Sequence, residues 1–171
     1  MSIHTIIHNN TRYPKFQSEG FAAKFAMPFA QQVCNGFGCD VGCNRKEWLY
    51  VDGDGKEALC VDPIICPEYH ALNLPPGNFD YIFSSHMLEH TENWVDVLDY
   101  WLTRLKKGGV LFLYLPDYSQ SYWRPWNNRK HVHIMSGLTL HNYLTDRGWC
   151  NIFVSGIDLN NSFCVMANKA E

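Results

Sequence analysis

Several features that would place the chain in a familiar class are missing from its sequence. None of its apolar runs approaches the roughly 18 residues that a membrane-spanning helix needs. Positive charge is not in excess, since 14 lysines and arginines stand against 17 acidic residues and the net charge is -3. We therefore expect no membrane partner and no general electrostatic attraction to nucleic acid.

The cysteines form no recognisable disulfide framework. The chain has seven of them, an odd number, and no two are spaced as C-x-x-C. The first residues do not resemble a secretory leader, so we expect a reducing, cytoplasmic setting. With 46% hydrophobic and 15% aromatic residues, the 171-residue chain can build the core of one domain without covalent links.

Short apolar segments bounded by turn residues predict a β-sheet. Four segments have the length and composition of buried strands: FGCDVG (37–42), EALCVD (57–62), FDYIFSS (79–85) and GVLFLYLP (109–116). Between the last two, a cap at Thr91 or Asn93 precedes an apolar stripe at helical spacing. The order strand, helix, strand predicts a right-handed parallel crossover in an α/β sheet.

The two ends of the chain contain further elements. We expect residues 1–17 to be irregular and Ser18 to cap a helix that Pro28 kinks or restarts. Near the other end, residues 136–147 read as a helix, followed by two strands that pair antiparallel across the turn DLNNS. In the middle, Asp52 and Asp54 lie in the turn DGDG and are interpreted as solvated turn formers.

The stretch HMLEH (86–90) has the H-x-x-E-H order of a class of zinc peptidases. In those enzymes two histidines four residues apart bind zinc from one face of a regular helix. Here His86 ends a predicted strand and the regular helix begins several residues later, so that geometry is disfavoured. We retain the zinc hydrolase only as an alternative.

Four ordered segments together resemble the class I S-adenosylmethionine-dependent methyltransferases, and most of all their small type 11 group. They are GCDVGCNRK (38–46), LCVDP (59–63), LNLPPGNFDYIFSSHMLEH (72–90) and LKKGGVLFLYLPD (105–117). The resemblance implies a Rossmann-like, mostly parallel seven-stranded sheet with an antiparallel C-terminal strand, flanked by helices. It also implies that residues 1–35 cover the cofactor site and that residues 36–171 form the methyltransferase core.

The resemblance implies S-adenosylmethionine as cofactor and assigns its contacts by position. Asp62, 22 residues after Asp40, is expected to accept hydrogen bonds from the ribose hydroxyls. Two glycines of the family's G-x-G-x-G turn are replaced, and His70 stands where an acid is usual near adenine. The full set of implied cofactor-binding residues is Asp40, Gly42, Cys43, Asn44, Asp62, Pro63, Ala71, Leu72, Asn73, Ser84, Ser85 and His86.

The implied methyl acceptor is a small molecule or a carrier-tethered group, and the sequence leaves open whether oxygen, nitrogen or carbon is methylated. If a proton must leave the acceptor, His86 is the first candidate base, followed by His133 and His131. We expect these histidines to be polar pocket lining with no metal, and a metal site formed by His131, His133 and His86 is the alternative. The loop at 122–131 either clamps the acceptor or folds down as a lid. A non-catalytic cofactor-binding module remains a second alternative.

Overall fold

The computed structural model describes residues 4–8, 10–19 and 21–171. Its main sheet has six strands in the order β4-β3-β5-β6-β8-β7, and the first four of these run parallel. Strand β8 is antiparallel to both β6 and β7. The strands are β3 Gly38–Val41, β4 Leu59–Val61, β5 Phe79–Ser85, β6 Leu105–Pro116, β7 Trp149–Val154 and β8 Ser162–Lys169.

The central strands separate two hydrophobic layers. On β5, Ile82 faces a core that contains Trp101. Its neighbours Tyr81 and Phe83 belong to a second core with Ala30. Since successive side chains of a strand point to opposite faces, a central strand covered on both sides must be apolar throughout. This explains why these segments read as continuous apolar runs, and the predicted Rossmann-like α/β architecture is confirmed.

Helices cover both faces of the sheet. Helix α1 is Lys15–Ser18, α2 is Met27–Val33, α3 is Trp94–Arg104 and α4 is Gly137–Asp146. Ser136, the first residue of the segment predicted as the last helix, is the N-cap of α4, because its hydroxyl accepts a hydrogen bond from Thr139 N at 3.2 Å. Asn93 occupies the N-cap position of α3, although its side chain makes no capping bond. None of the helices in the described ranges is long and apolar enough to cross a membrane.

The sheet has one strand fewer than the seven predicted. In this family pattern a further strand would lie beyond β4, but residues 62–78 form turns and a single isolated bridge between His70 and Asn73. Four prolines fall in this interval, at 63, 67, 75 and 76. Proline has no backbone N–H to donate to a neighbouring strand, so these prolines disfavour regular strand pairing in this interval.

The N-terminal segment is more ordered than the sequence suggested. Where an irregular stretch was expected, β1 Thr5–His8 and β2 Thr11–Pro14 form an antiparallel hairpin. The predicted helix from Ser18 is broken into a 3₁₀ turn, Ala22–Phe25, and α2, whose first turn contains Pro28. The prediction that the helix restarts at Pro28 is confirmed. Proline fits in the first turn of a helix because the N–H groups there have no partner within the helix. Residues 1–3, 9 and 20 of the predicted covering segment lie outside the described residues.

The connection from β3 to β4 contains turns and no full helix, as its composition predicted. A 3₁₀ turn, Lys46–Trp48, is its regular element. Asp52 organises the turn that follows, since its Oδ1 accepts from Lys56 N at 2.8 Å and its Oδ2 from Gly36 N at 3.1 Å. Asp52 is thus a turn former, but it is 2% exposed and not solvated as expected.

Candidate active site

A large cleft lies at the carboxyl ends of β3, β4 and β5. Its volume is about 790 Å³, and a second cavity of about 330 Å³ adjoins it. Three residues line both cavities: Gly42, Asp62 and Met87. The two spaces therefore meet around the end of β3, at the edge where open α/β sheets bind their ligands.

The turn after β3 brings the backbone close to its neighbours. Gly42 has φ +90°, and a Cβ at this position would lie 2.5 Å from Met87 Cγ. Asn44 also has positive φ, a conformation that asparagine tolerates better than most residues. The turn is therefore tight even though two of the family's glycines are replaced.

Asp62 lies directly after β4, at the junction of the two cavities. Its Oδ2 accepts a hydrogen bond from Asn44 N at 3.0 Å and its Oδ1 one from Ile64 N at 2.9 Å. The residue is 6% exposed. These two bonds fix the carboxylate, and each oxygen retains a lone pair for a further donor in the cleft.

Asp40 is buried beneath the cleft, and its carboxylate supports the surrounding loop. Its Oδ2 accepts a hydrogen bond from Tyr50 N at 2.8 Å. Burial raises the pKa of Asp40 to about 7, while the Tyr50 bond opposes this shift and the charge of Asp62 adds to it. Asp40 lines only a cavity of about 20 Å³, outside both larger spaces.

Three other residues predicted to bind the cofactor also direct their side chains elsewhere. The Sγ of Cys43 lies 2.9 Å from that of Cys60. Ser84 donates to the Val41 carbonyl at 2.8 Å and is 1% exposed. Asn73 donates to a backbone carbonyl five residues earlier at 2.7 Å. These side chains stabilise the strand ends and turns around the cleft.

The smaller cavity contains the groups predicted to surround adenine. Pro63, His70, Ala71 and Leu72 line it. The Ala71 carbonyl already accepts a hydrogen bond from Trp101 Nε1 at 2.8 Å, and Leu72 N lies 3.3 Å from His70 Nδ1. The space is thus enclosed by apolar and backbone groups, with His70 at its margin.

His86 lies at the end of β5, where Ser85 and His86 both line the large cleft. Its φ of +49° is unusual for a residue other than glycine. The imidazole is held between two partners, with Nε2 3.1 Å from Ser162 Oγ and Nδ1 3.8 Å from Glu89 Oε1. Burial lowers the pKa of His86 to about 3, and two neighbouring histidines act in the same direction. The ring is therefore neutral at physiological pH.

Glu89 is the main site residue that the sequence did not single out. It is 1% exposed and lines the cleft. Neither carboxylate oxygen accepts a hydrogen bond from another described residue. Burial raises the pKa of Glu89 to about 8. The H-x-x-E-H order was the available signal, because it placed an acid between two histidines.

Two further histidines near Glu89, His131 and His133, come from a segment about forty positions later in the chain. His131 is 3% exposed and stacks on Trp123, with 4.7 Å between ring centroids. Its ring also meets that of His90 edge-on, with 4.5 Å between centroids. His133 is placed differently from the sequence-based expectation, since its Nε2 lies 2.8 Å from the Glu92 carbonyl and the residue does not line the large cleft.

HMLEH does not form the regular helix of a zinc peptidase. His86 follows a strand in a left-handed conformation, and the residues after it form a 3₁₀ turn, Leu88–His90. The two histidines of the motif therefore do not share an α-helical face. The prediction that HMLEH lacks the zinc-peptidase geometry, made because His86 ends a strand, is confirmed.

Aromatic rings enclose the outer side of the cleft. Tyr13 of β2 stacks on Tyr122, with centroids 4.5 Å apart, and meets Trp123 edge-on. These three rings line the large cleft. Trp126 is 66% exposed, with the Arg124 guanidinium 5.8 Å from its ring centroid. The loop therefore packs one tryptophan inward and leaves the other at the surface.

A family model described as a methyltransferase domain matches residues 21–152. The chain belongs to this family. The resemblance to the class I S-adenosylmethionine-dependent methyltransferases is thus confirmed. The description of the matching model does not say whether the chain belongs to the type 11 group. A comparison with curated protein sequences found no match.

Solved methyltransferase structures share the fold of this methyltransferase domain. An S-adenosylmethionine-dependent methyltransferase from Thermotoga maritima is 16% identical, with a TM-score of 0.65 over 90% of this chain and 92% of its own. One from Archaeoglobus fulgidus is 15% identical, with a TM-score of 0.58 over 90% and 98%. The N-methyltransferase NodS from Bradyrhizobium japonicum is 13% identical, with a TM-score of 0.58 over 91% and 97%.

S-adenosylmethionine is the cofactor of this methyltransferase domain, and the residues present fit it. The 330 Å³ cavity has room for a planar base, and the carboxylate of Asp62, which lines both cavities, has lone pairs left for further donors. Gly42 lines both cavities, and its missing side chain allows Met87 to pack against this turn.

Proposed function

We propose that the protein transfers the activated methyl group of S-adenosylmethionine to a small or carrier-tethered acceptor. The main support is the pair of cavities that share Asp62 in their linings, because one would hold adenosine and the larger, more polar one would hold the acceptor. Asp62 would bind the ribose, and His86 would lie on the acceptor side. The seven free thiols support a reducing, cytoplasmic setting as part of this proposal.

When bound, the cofactor supplies a methyl group that leaves by in-line displacement. The protein then has to align the acceptor and keep water from the reacting atoms. The rings of Tyr13, Tyr122 and Trp123 form the wall suited to excluding water. We extend the proposal to residues 1–35 as the segment that covers this side of the cleft.

Proton removal from an acceptor hydroxyl or ammonium is assigned to the pair His86 and Glu89. Neutral His86 has one ring nitrogen directed to Ser162 and the other to Glu89. With its low pKa, His86 alone is a weak base, whereas the raised pKa of Glu89 makes that carboxylate the stronger proton acceptor once it is ionised. His131 and His133 would position these groups or the acceptor.

The test is formation of S-adenosylhomocysteine by the purified chain with a panel of hydroxyl, amine and carbon acceptors. We expect turnover with at least one acceptor class. A variant that no longer binds the cofactor should show no turnover. Cofactor binding by calorimetry with no turnover on any acceptor would favour the non-catalytic module. Absence of binding at millimolar cofactor would refute the proposal.

A further inference from the structure

We propose that Glu89, His90 and His131 form a binding site for a divalent transition-metal ion at the acceptor end of the cleft. One ligand atom from each residue lies within 4.8 Å of the other two. All three residues line the large cleft. The sequence offered His131 with His86 and His133 as an alternative metal site. In the structure, Glu89 and His90 take the place of His86 and His133 beside His131.

The environment of Glu89 is the strongest argument. Its side chain is 1% exposed, and neither oxygen accepts a hydrogen bond from another described residue. A buried carboxylate without partners costs free energy, and proteins normally satisfy it with a donor or a cation. The nearest groups are two imidazole nitrogens, Nδ1 of His86 and Nε2 of His90, each 3.8 Å from Oε1. These distances are too long for hydrogen bonds but leave room for an ion between the groups.

Backbone contacts orient both histidines as metal ligands. His90 Nδ1 lies 2.7 Å from the Lys130 carbonyl, so this nitrogen carries the proton and Nε2 presents a lone pair towards Glu89. His131 makes a hydrogen bond to the backbone of Trp123, which leaves its other nitrogen for the shared space. Metal-binding histidines typically donate their second N–H to a carbonyl in this way, which fixes the tautomer.

The composition of the site indicates which ions it would select. Two imidazoles and one carboxylate suit zinc, manganese, iron or cobalt, whereas magnesium and calcium prefer oxygen ligands alone. Three protein ligands also leave coordination positions open, and here they would face the cleft beside His86. Resting on the proposed function, we infer that an oxygen or nitrogen of the methyl acceptor occupies such a position, where the ion would favour its deprotonated form. With the ion bound, Glu89 would act as a ligand and no longer as the proton acceptor.

Cobalt(II) is the most informative probe, because its absorption distinguishes nitrogen and oxygen ligands from thiolates. After removal of metal with a chelator, the full chain should bind one equivalent without the intense thiolate charge-transfer band. Glu89→Gln and His131→Ala should each weaken binding at least about tenfold, as loss even of an outer-shell partner does. His141→Ala, which removes an exposed histidine on α4, is the matched control and should bind cobalt as the wild type does.

Three outcomes would overturn the metal site: no stoichiometric binding, equal binding by wild type and Glu89→Gln, or a thiolate band. The last would place the ion at the thiols of Cys43 and Cys60, and Cys60→Ser would then abolish binding. Circular dichroism checks that each variant is folded. If Glu89→Gln does not fold, His90→Ala replaces it, because the His90 side chain is 40% exposed.

Calorimetry with S-adenosylhomocysteine separates this inference from the proposed function. We expect the nucleoside to bind equally well with and without cobalt, since the proposed ligands lie on the acceptor side. Nucleoside binding without metal binding would refute the metal site alone. Metal binding without nucleoside binding would refute the proposed methyl transfer and with it the acceptor role of the ion, while leaving the ion-binding site itself intact.

Discussion

Replacement of Asp62 by alanine should weaken cofactor binding strongly while leaving the fold intact. The carboxylate is the fixed acceptor at the junction of the two cavities, held by Asn44 N and Ile64 N. Two ribose hydroxyls donating to it would make charged hydrogen bonds worth about 1.5 to 3 kcal/mol each. Because each oxygen already accepts one backbone bond, we take the lower value. The sum is about 3 kcal/mol, or roughly a hundredfold in Kd.

Isothermal titration calorimetry with S-adenosylhomocysteine measures this loss directly. Asp54→Ala is the matched control, since Asp54 is an exposed acid of the β3–β4 connection that lines neither cavity. Asp52→Ala should lower stability, because three backbone N–H groups lose their acceptor, and leave Kd nearly unchanged. A larger loss of affinity in Asp52→Ala than in Asp62→Ala would refute the assignment of the ribose-binding acid.

Three further substitutions test the acceptor side, the buried acid and a helix cap. His86→Ala should reduce turnover by roughly a hundredfold while the Kd for cofactor changes little, since misplacement of reacting groups affects the transition state; equal losses in both would contradict a role towards the acceptor. For Asp40, the folded pKa of about 7 exceeds the ordinary 3.8, so the folded state holds the proton more tightly and the contribution of Asp40 to stability falls as pH rises from 4 to 7. In Asp40→Asn that decline should be absent, a difference on the order of 4 kcal/mol between the two proteins across this range, and parallel urea-denaturation profiles against pH would refute it. Ser136→Ala should cost about 1 kcal/mol in urea denaturation through loss of the bond from Thr139 N, and an unchanged midpoint would show that the cap contributes nothing.

The sequence determined the sheet because central parallel strands must be apolar on both faces. The segment FDYIFSS (79–85) coincides with β5 for this reason, and Ser136 identified the start of α4 through a local capping bond. Local patterns failed where order depends on distant contacts. The hairpin formed by β1 and β2 could not be recognised from residues 1–17, because Tyr13 stacks on Tyr122, more than a hundred positions away.

The candidate site shows the same division. The motif order identified Asp62 and Gly42, because the ends of β3 and β4 must lie side by side in a parallel sheet. Only the tertiary structure decided which side chains face the cleft: Asp40 turned to support a loop, and His133 turned to a backbone carbonyl. It also brought His131 beside Glu89, since the loop from residues 122–131 folds back over the end of β5. Contacts between segments so far apart in the chain depend on how the loop packs, and no local pattern of residues encodes that packing.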